Sequence, residues 1–176
     1  FLGQPDEHIK NIYFSNIQFN LNTHRTLECS KKPRGVRSLN NRAANDYSHI
    51  PSNFTFAYVD NVHINGLKIR DNDKSGKYER HMIWGFDVHG FYLKNLSNQL
   101  AMPNQELSQL LFKDATDIEV RDCRPVNTNS PFITLEGKKT RDVVLMNNNF
   151  LKIDTIVETG DGFDKKDLIE FNNLMK

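Results

Sequence analysis

Five stretches of this chain repeat one pattern: Ile9–Phe19 (IKNIYFSNIQF), Val59–Ile69 (VDNVHINGLKI), Val88–Asn98 (VHGFYLKNLSN), Ala115–Pro125 (ATDIEVRDCRP) and Thr140–Phe150 (TRDVVLMNNNF). Stacked, they give aligned columns. The fourth column reads Ile12, Val62, Phe91, Ile118, Val143, and the sixth reads Phe14, Ile64, Leu93, Val120, Leu145. The third holds Asn11, Asn61, Gly90, Asp117 and Asp142, and the eighth Asn16, Gly66, Asn95, Asp122 and Asn147. The last four copies begin at 59, 88, 115 and 140, in steps of 29, 27 and 25 residues. A unit this short cannot bury its apolar face alone, so it must stack on its neighbours.

Within each copy apolar and polar residues alternate, the period of a strand with one face inward. The alternation breaks after a few residues at Asn, Asp or Gly, which tolerate the left-handed backbone of a sharp corner. A third strand can be read before each of the last four copies, in Phe54–Tyr58, Met82–Phe86, Leu110–Phe112 and Phe132–Leu135. Strand, corner, strand, corner, strand is one coil of a parallel β-helix. The expected fold is therefore all-β, a right-handed parallel β-helix. A β-sandwich also has many short strands, but it does not require one residue class in one column five times. The step of 50 between the first two copies reads as one coil plus an insertion over 20–53, which shows no alternation.

With 176 residues the chain is expected to form a single domain over 1–176. Its net charge of +1 says nothing about partners. No stretch approaches a membrane-spanning length, and no signal peptide or membrane association is expected. Cys29 falls in the insertion and Cys123 in a core column, settings too different for an expected bridge. Residues 163–176 place Leu168, Phe171, Leu174 and Met175 at helical spacing behind Asp164, a candidate N-cap. They are expected to form a C-terminal helix capping the last coil. The eight residues before Ile9 are too few for a cap. An open edge is expected there, covered by upstream coils of a parent chain or by an oligomer partner.

No metal-ligand spacing stands in the sequence: the six histidines form no tight pair, and His63 and His89 fall in outward columns expected to be solvated. No metal or cofactor is expected. Asp87 and Asp114 end the strands preceding successive copies and are expected to stack one coil apart, as corner residues first. The insertion carries Arg25, Lys31, Lys32, Arg34, Arg37 and Arg42 against Glu28 and Asp46. Such a basic loop favours an anionic ligand, Arg holding a carboxylate bidentately. Arg37, Arg42, Tyr47, His49 and Tyr58 are the candidate substrate-binding residues, the rings offering a sugar a stacking face. The rest of the chain is not basic, so nucleic acid is not an expected partner.

The phrases IKNIYFSNIQF, FTFAYVDNVHINGLKI, VHGFYLKNL and FITLEGKKTRDVVLMNNNF resemble the closing coils of pectin-lyase-like right-handed β-helices, most of all the C-terminal part of family-28 glycoside hydrolases, the polygalacturonases. The resemblance covers about residues 7–160. It implies a secreted or periplasmic parent enzyme that hydrolyses an acidic plant polysaccharide with paired Asp residues. The family's catalytic motifs are absent: Asn127-Thr128-Asn129 lacks the Asp, Val88-His89-Gly90 lacks the first Gly, and Leu67-Lys68-Ile69-Arg70 has the wrong order. No catalytic residue carries over, so the expected role is a non-catalytic part of a pectin-degrading hydrolase. The rival expectations are an adhesive, carbohydrate-binding β-helix without a reaction, and a polysaccharide lyase.

Overall fold

The computed structural model describes residues 1–21, 52–72, 80–100, 107–126 and 130–176. The chain winds as a parallel β-solenoid. Its strands are β1 (Ile9–Leu21), β2 (Ser52–Asp71), β3 (His81–Lys94), β4 (Ser97–Leu100), β5 (Leu110–Lys113), β6 (Thr116–Arg121), β7 (Ile133–Glu136), β8 (Arg141–Met146), β9 (Val157–Thr159) and β10 (Leu168–Phe171). Every ladder between them is parallel. Three sheets result. The front sheet stacks β1, β2, β3, β6, β8 and β10. The flank sheet stacks the first halves of β2 and β3 on β5, β7 and β9. The rear sheet joins the ends of β1 and β2 to β4.

The expected inner file is present. Ile12, Val62, Phe91, Ile118 and Val143 are register partners on successive front strands, and Leu168 extends the file by one rung. The three middle members are almost fully buried, at 0%, 0% and 1% exposed. Such burial contributes about 1.5–3 kcal/mol per large aliphatic or aromatic side chain. Rings fill the interior behind the file: Phe91 meets Phe112 edge-on at 4.8 Å, and Phe132 tilts against Phe150 at 5.1 Å. Gly85 leaves the space that the Phe112 ring occupies, since a Cβ there would come within 2.5 Å of it.

The corner columns behave as their residue types require. Asn11, Asn61, Asp117 and Asp142 all have φ between 55° and 60° and Gly90 has 80°. The next corner repeats this in Asn16, Gly66, Asn95, Asp122, Asn147 and Asn172. Asn and Asp accept this conformation at lower cost than other side-chain-bearing residues, and Asn amides then pair between rungs. Asn61 donates to Asn11 at 2.6 Å, Asn95 to Asn65 at 3.0 Å and Asn172 to Asn147 at 2.8 Å. One position further on, amides turn inward. The Asn148 side chain accepts from the Cys123 N–H and donates to the Val120 carbonyl, both at 2.9 Å. Asn173 repeats the motif one rung later, toward the Asn148 N–H at 2.9 Å and the Leu145 carbonyl at 2.8 Å. Cys123 is free and buried, and burial pushes its thiol up to about 12.

Both ends depart from simple expectation. The expected C-terminal capping helix does not form. Lys165–Asp167 make one 3₁₀ turn, with Asp164 as N-cap accepting from the Lys166 N–H at 3.1 Å, and Leu168–Phe171 then add a strand to β8. The reason is that LIEF-NN continues the columns of VVLM-NN. The edge of β8 offers backbone partners to a strand and none to a helix, and Asn172 turns the corner at φ 52°. At the other end, Gly3 donates to the Ala57 carbonyl at 2.8 Å, and the Phe1 ring stacks on Phe56 at 5.4 Å. Among the described residues β1 pairs with β2 alone. It leaves Ile9, Tyr13 and Phe19 exposed. β1 lies directly on β2; residues 20, 21, 52 and 53 of the expected insertion belong to these strands, and 22–51 lie outside the described residues.

Candidate functional site

Because side chains alternate, each front strand presents its second, fifth and seventh positions to the outside. Register turns these positions into columns. The second column runs Lys10, Asp60, His89, Thr116, Arg141. The fifth runs Tyr13, His63, Tyr92, Glu119, Val144, Ile169, and the seventh Ser15, Asn65, Lys94, Arg121, Met146, Phe171. Polar chemistry therefore concentrates on the outer face of the first four rungs, and the last two are largely apolar there.

Two features stand on that face. In the fifth column three rings stack: Tyr13 on His63 at 4.9 Å and 9°, and His63 on Tyr92 at 4.6 Å and 22°. Hydrogen bonds fix their edges. His63 Nε2 lies 2.6 Å from Asn61 Oδ1, and the Asn61 amide donates to the Tyr13 hydroxyl at 3.2 Å. Tyr92 donates to Asp117, and that carboxylate holds its phenol up at about 12. The stack leaves the outer face of Tyr13 open, 66% of the residue being exposed. At the other end of the stack, a hollow of about 240 Å³ is lined by His63, Asn65, Tyr92, Lys94, Glu119 and Arg121. Glu119 engages Arg121 through Nε at 2.9 Å, and Lys94 pairs loosely with Asp122 at 3.7 Å. Both cations are about 40% exposed, so water screens these pairs and they exchange partners readily.

The second feature gathers His8, Asp60 and His89. His8 Nδ1 lies 2.7 Å from Asp60 Oδ1, His89 Nδ1 lies 3.4 Å from the same oxygen, and His89 Nε2 lies 3.1 Å from Asp87 Oδ1. The two imidazole rings are 5.2 Å apart. Lys10 approaches the other Asp60 oxygen at 3.7 Å. Asp6, Glu7, His8, Lys10, Asp60 and His89 line a hollow of about 360 Å³.

The residues singled out from sequence fare unequally. Arg37, Arg42, Tyr47 and His49 lie outside the described residues, as does Cys29. Tyr58 occupies a corner at φ 55°, half-buried, with its ring edge-on to Phe86 at 5.5 Å and tilted to His8 at 5.8 Å. It is built into the corner beside the histidine cluster. Asp87 and Asp114 do occupy successive rungs, each at a left-handed corner. Asp87 faces His89, and Asp114 accepts from the Lys139 N–H at 3.3 Å. Spacing along the chain hid the histidine cluster, since its members are 52 and 29 residues apart. The column alignment carried the signal, because Asp60 and His89 share the second position of neighbouring copies.

Among the described corner carboxylates, Asp87, Asp114, Asp117 and Asp122 are each tied to a neighbouring side chain or backbone group. A hollow of about 480 Å³ is walled by Asn95, Asp122, Asn147 and the inward Asn148, groups that close the coil. Comparison with protein-family models, with curated proteins and with solved structures finds no match to this chain.

Proposed function

We propose that this chain is the non-catalytic, saccharide-binding C-terminal part of a pectin-lyase-like right-handed β-helix hydrolase of the polygalacturonase kind. The parent would be secreted or periplasmic and would act on an acidic plant polysaccharide. The resemblance of the coil phrases supports the family, and the parallel solenoid agrees with it at the level of fold. Right-handedness is the general preference of parallel crossovers. Among the described residues nothing pairs with the outer side of β1, which would take a further rung or a partner strand.

The observation that carries the binding role is the hollow lined by His63, Tyr92, Lys94, Glu119 and Arg121, in which aromatic rings stand beside two cations. A flat ring takes the apolar face of a pyranose, and a guanidinium next to an ammonium takes a uronate carboxylate. Both stand on a rigid sheet, which limits the ordering cost of binding. With the corner carboxylates engaged in structure, binding without a reaction is the role the residues favour. An adhesive β-helix shares this chemistry and differs in lacking a catalytic parent.

The test is titration of the chain with a galacturonate oligomer and with a neutral oligosaccharide of equal length. Saturable binding of the acidic one alone is expected. Lys94→Ala and Arg121→Ala should each weaken it about tenfold, the worth of one charge-assisted hydrogen bond. Equal affinity for both sugars, or affinity untouched by both substitutions, refutes this face as the binding site. Arg37→Ala and Arg42→Ala test the insertion in the same titration.

A further inference from the structure

We propose that His8, Asp60 and His89 form a site for a divalent first-row transition metal of the zinc class, clipping the first three rungs together. Each residue offers one ligand atom, and these atoms all lie within 4.8 Å of one another. A tetrahedral zinc site with bonds of about 2.0–2.2 Å sets its ligands roughly 3.3–3.5 Å apart. One contact, His89 Nδ1 to Asp60 Oδ1 at 3.4 Å, already has that spacing. Metal binding would require side-chain rotation that closes the widest gap and opens the 2.7 Å contact between His8 and Asp60.

The backbone that holds the three is rigid where it matters. Asp60 and His89 are register partners on adjacent front strands, and His8 immediately precedes β1, which pairs with β2. The surroundings resemble those of a ligand set. His89 turns its other ring nitrogen to Asp87 at 3.1 Å, the carboxylate–imidazole pairing that orients metal-bound histidine and raises its basicity. The side chains of His8, Asp87 and Asp60 are only 13%, 19% and 27% exposed, so the cluster has walls as well as donors. Lys10 opposes a cation, but it approaches the second Asp60 oxygen at 3.7 Å on a side chain 66% exposed, and it can swing into water.

Donor type sets the class of metal. Two imidazoles and one carboxylate suit zinc and its neighbours, whereas calcium and magnesium take oxygen ligands. Three protein donors leave a fourth position facing the hollow with Asp6 and Glu7, which water would fill. The mechanical consequence follows from where the ligands sit. His8 is 52 residues from Asp60 and 81 from His89, so one ion would pin the edge rung to the two rungs beneath it.

The inference does not depend on saccharide binding, and its test uses the metal alone. Calorimetry of the intact chain with Zn²⁺ near neutral pH should give one saturable site per chain. Zn²⁺ should raise the melting temperature, and excess Ca²⁺ or Mg²⁺ should leave both results unchanged. His8→Gln, His89→Gln and Asp60→Asn should each abolish the site, and Asp87→Asn should weaken it about 10–100-fold. His89 is half exposed, so His89→Gln keeps the fold even if His8→Gln or Asp60→Asn does not. Zn²⁺ binding that survives both glutamine variants, or vanishes in His24→Gln or His49→Gln instead, overturns the proposal. So does the absence of saturable binding in the wild-type chain.

Discussion

The inside and the outside of the front sheet obey different rules although they share every backbone atom. Inward, the fourth column keeps Ile, Val, Phe, Ile, Val and Leu over six rungs. Outward, the fifth column passes from Tyr, His and Tyr to Glu and then to Val and Ile over the same six. The inner file is constrained by packing against the rung above and the rung below, at interior density, so only apolar residues survive there. The outer file touches solvent and its own column, and can change character without changing the coil. The coil is thus a general scaffold. What is particular to this chain lies in the outer columns of its early rungs, where the ring stack and the histidine cluster sit.

That contrast is broken most severely by putting a charge into the inner file. Ile118 is 1% exposed between Phe91 and Val143. Ile118→Asp should cost about 4 kcal/mol or more and leave little folded protein, whereas Ile118→Val should cost about 1 kcal/mol. Circular dichroism during urea unfolding measures both. A well-folded Ile118→Asp would mean that the inner file is less tightly packed than the register implies.

Polar groups inside the coil sharpen the comparison. Asn148 is 1% exposed and serves the Cys123 N–H, the Val120 carbonyl and Asn173 with one amide. Asn148→Ala leaves a buried donor and a buried acceptor without partners, which should cost about 2–4 kcal/mol, at 1–3 kcal/mol per orphaned group. Asn147, its neighbour, points out and pairs with Asn172 at 2.8 Å. Asn147→Asp retains a residue that the left-handed corner accepts, as Asp122 does in the same column, and should unfold near the wild-type midpoint. Two adjacent asparagines should therefore differ widely in the same assay.

How much of this was legible in the sequence follows the same division. The inner file, the corners and the flank strands all follow from column identity, because stacking forces every rung to repeat the same solution. Helical spacing of Leu168, Phe171, Leu174 and Met175 predicts a helix, whereas Leu168 and Asn172 continue the inner and corner columns of a strand, with Phe171 outward and Glu170 opposite buried Leu145. Only the edge of β8, a tertiary feature, decides between them. The histidine cluster was missed for the converse reason. Metal-ligand spacing is sought along the chain, and in a solenoid neighbours lie one coil apart, so Asp60 and His89 become adjacent only once the register is known. Arg37, Arg42, Tyr47 and His49 fall in the insertion, where no column alignment constrains the chain.

The histidines divide in the same way and give a pH signature. His81 is buried, 6% exposed, and donates from Nδ1 to the Ser108 carbonyl at 2.7 Å, which fixes that nitrogen as the N–H. Burial lowers its pKa below the ordinary 6.5, against a raising contribution from that carbonyl. With the folded value below the unfolded one, the unfolded chain binds more protons. The stabilisation is complete above the unfolded value near 6.5 and is lost as pH falls through it toward the folded value. The urea midpoint should therefore drop between pH 8 and pH 5, and His81→Gln should flatten part of that drop. An unchanged slope in His81→Gln would assign the acid sensitivity to other groups.

The smallest effects should come from the outer fifth column, and their ordering is informative. His63 is sandwiched between Tyr13 and Tyr92, and His63→Ala removes both ring contacts, each worth about 0.5–1.5 kcal/mol where buried and less at this half-exposed site. Ile169, four rungs beyond it in the same column, is 59% exposed, and Ile169→Thr should shift stability by less than about 0.5 kcal/mol. If the two substitutions cost the same, the ring stack adds nothing to the early rungs beyond what any outward side chain adds. If His63→Ala costs more and also weakens uronate binding, the stack holds Tyr92 beside Lys94 and Arg121, and the outer column then has a structural role confined to the rungs that carry the candidate site.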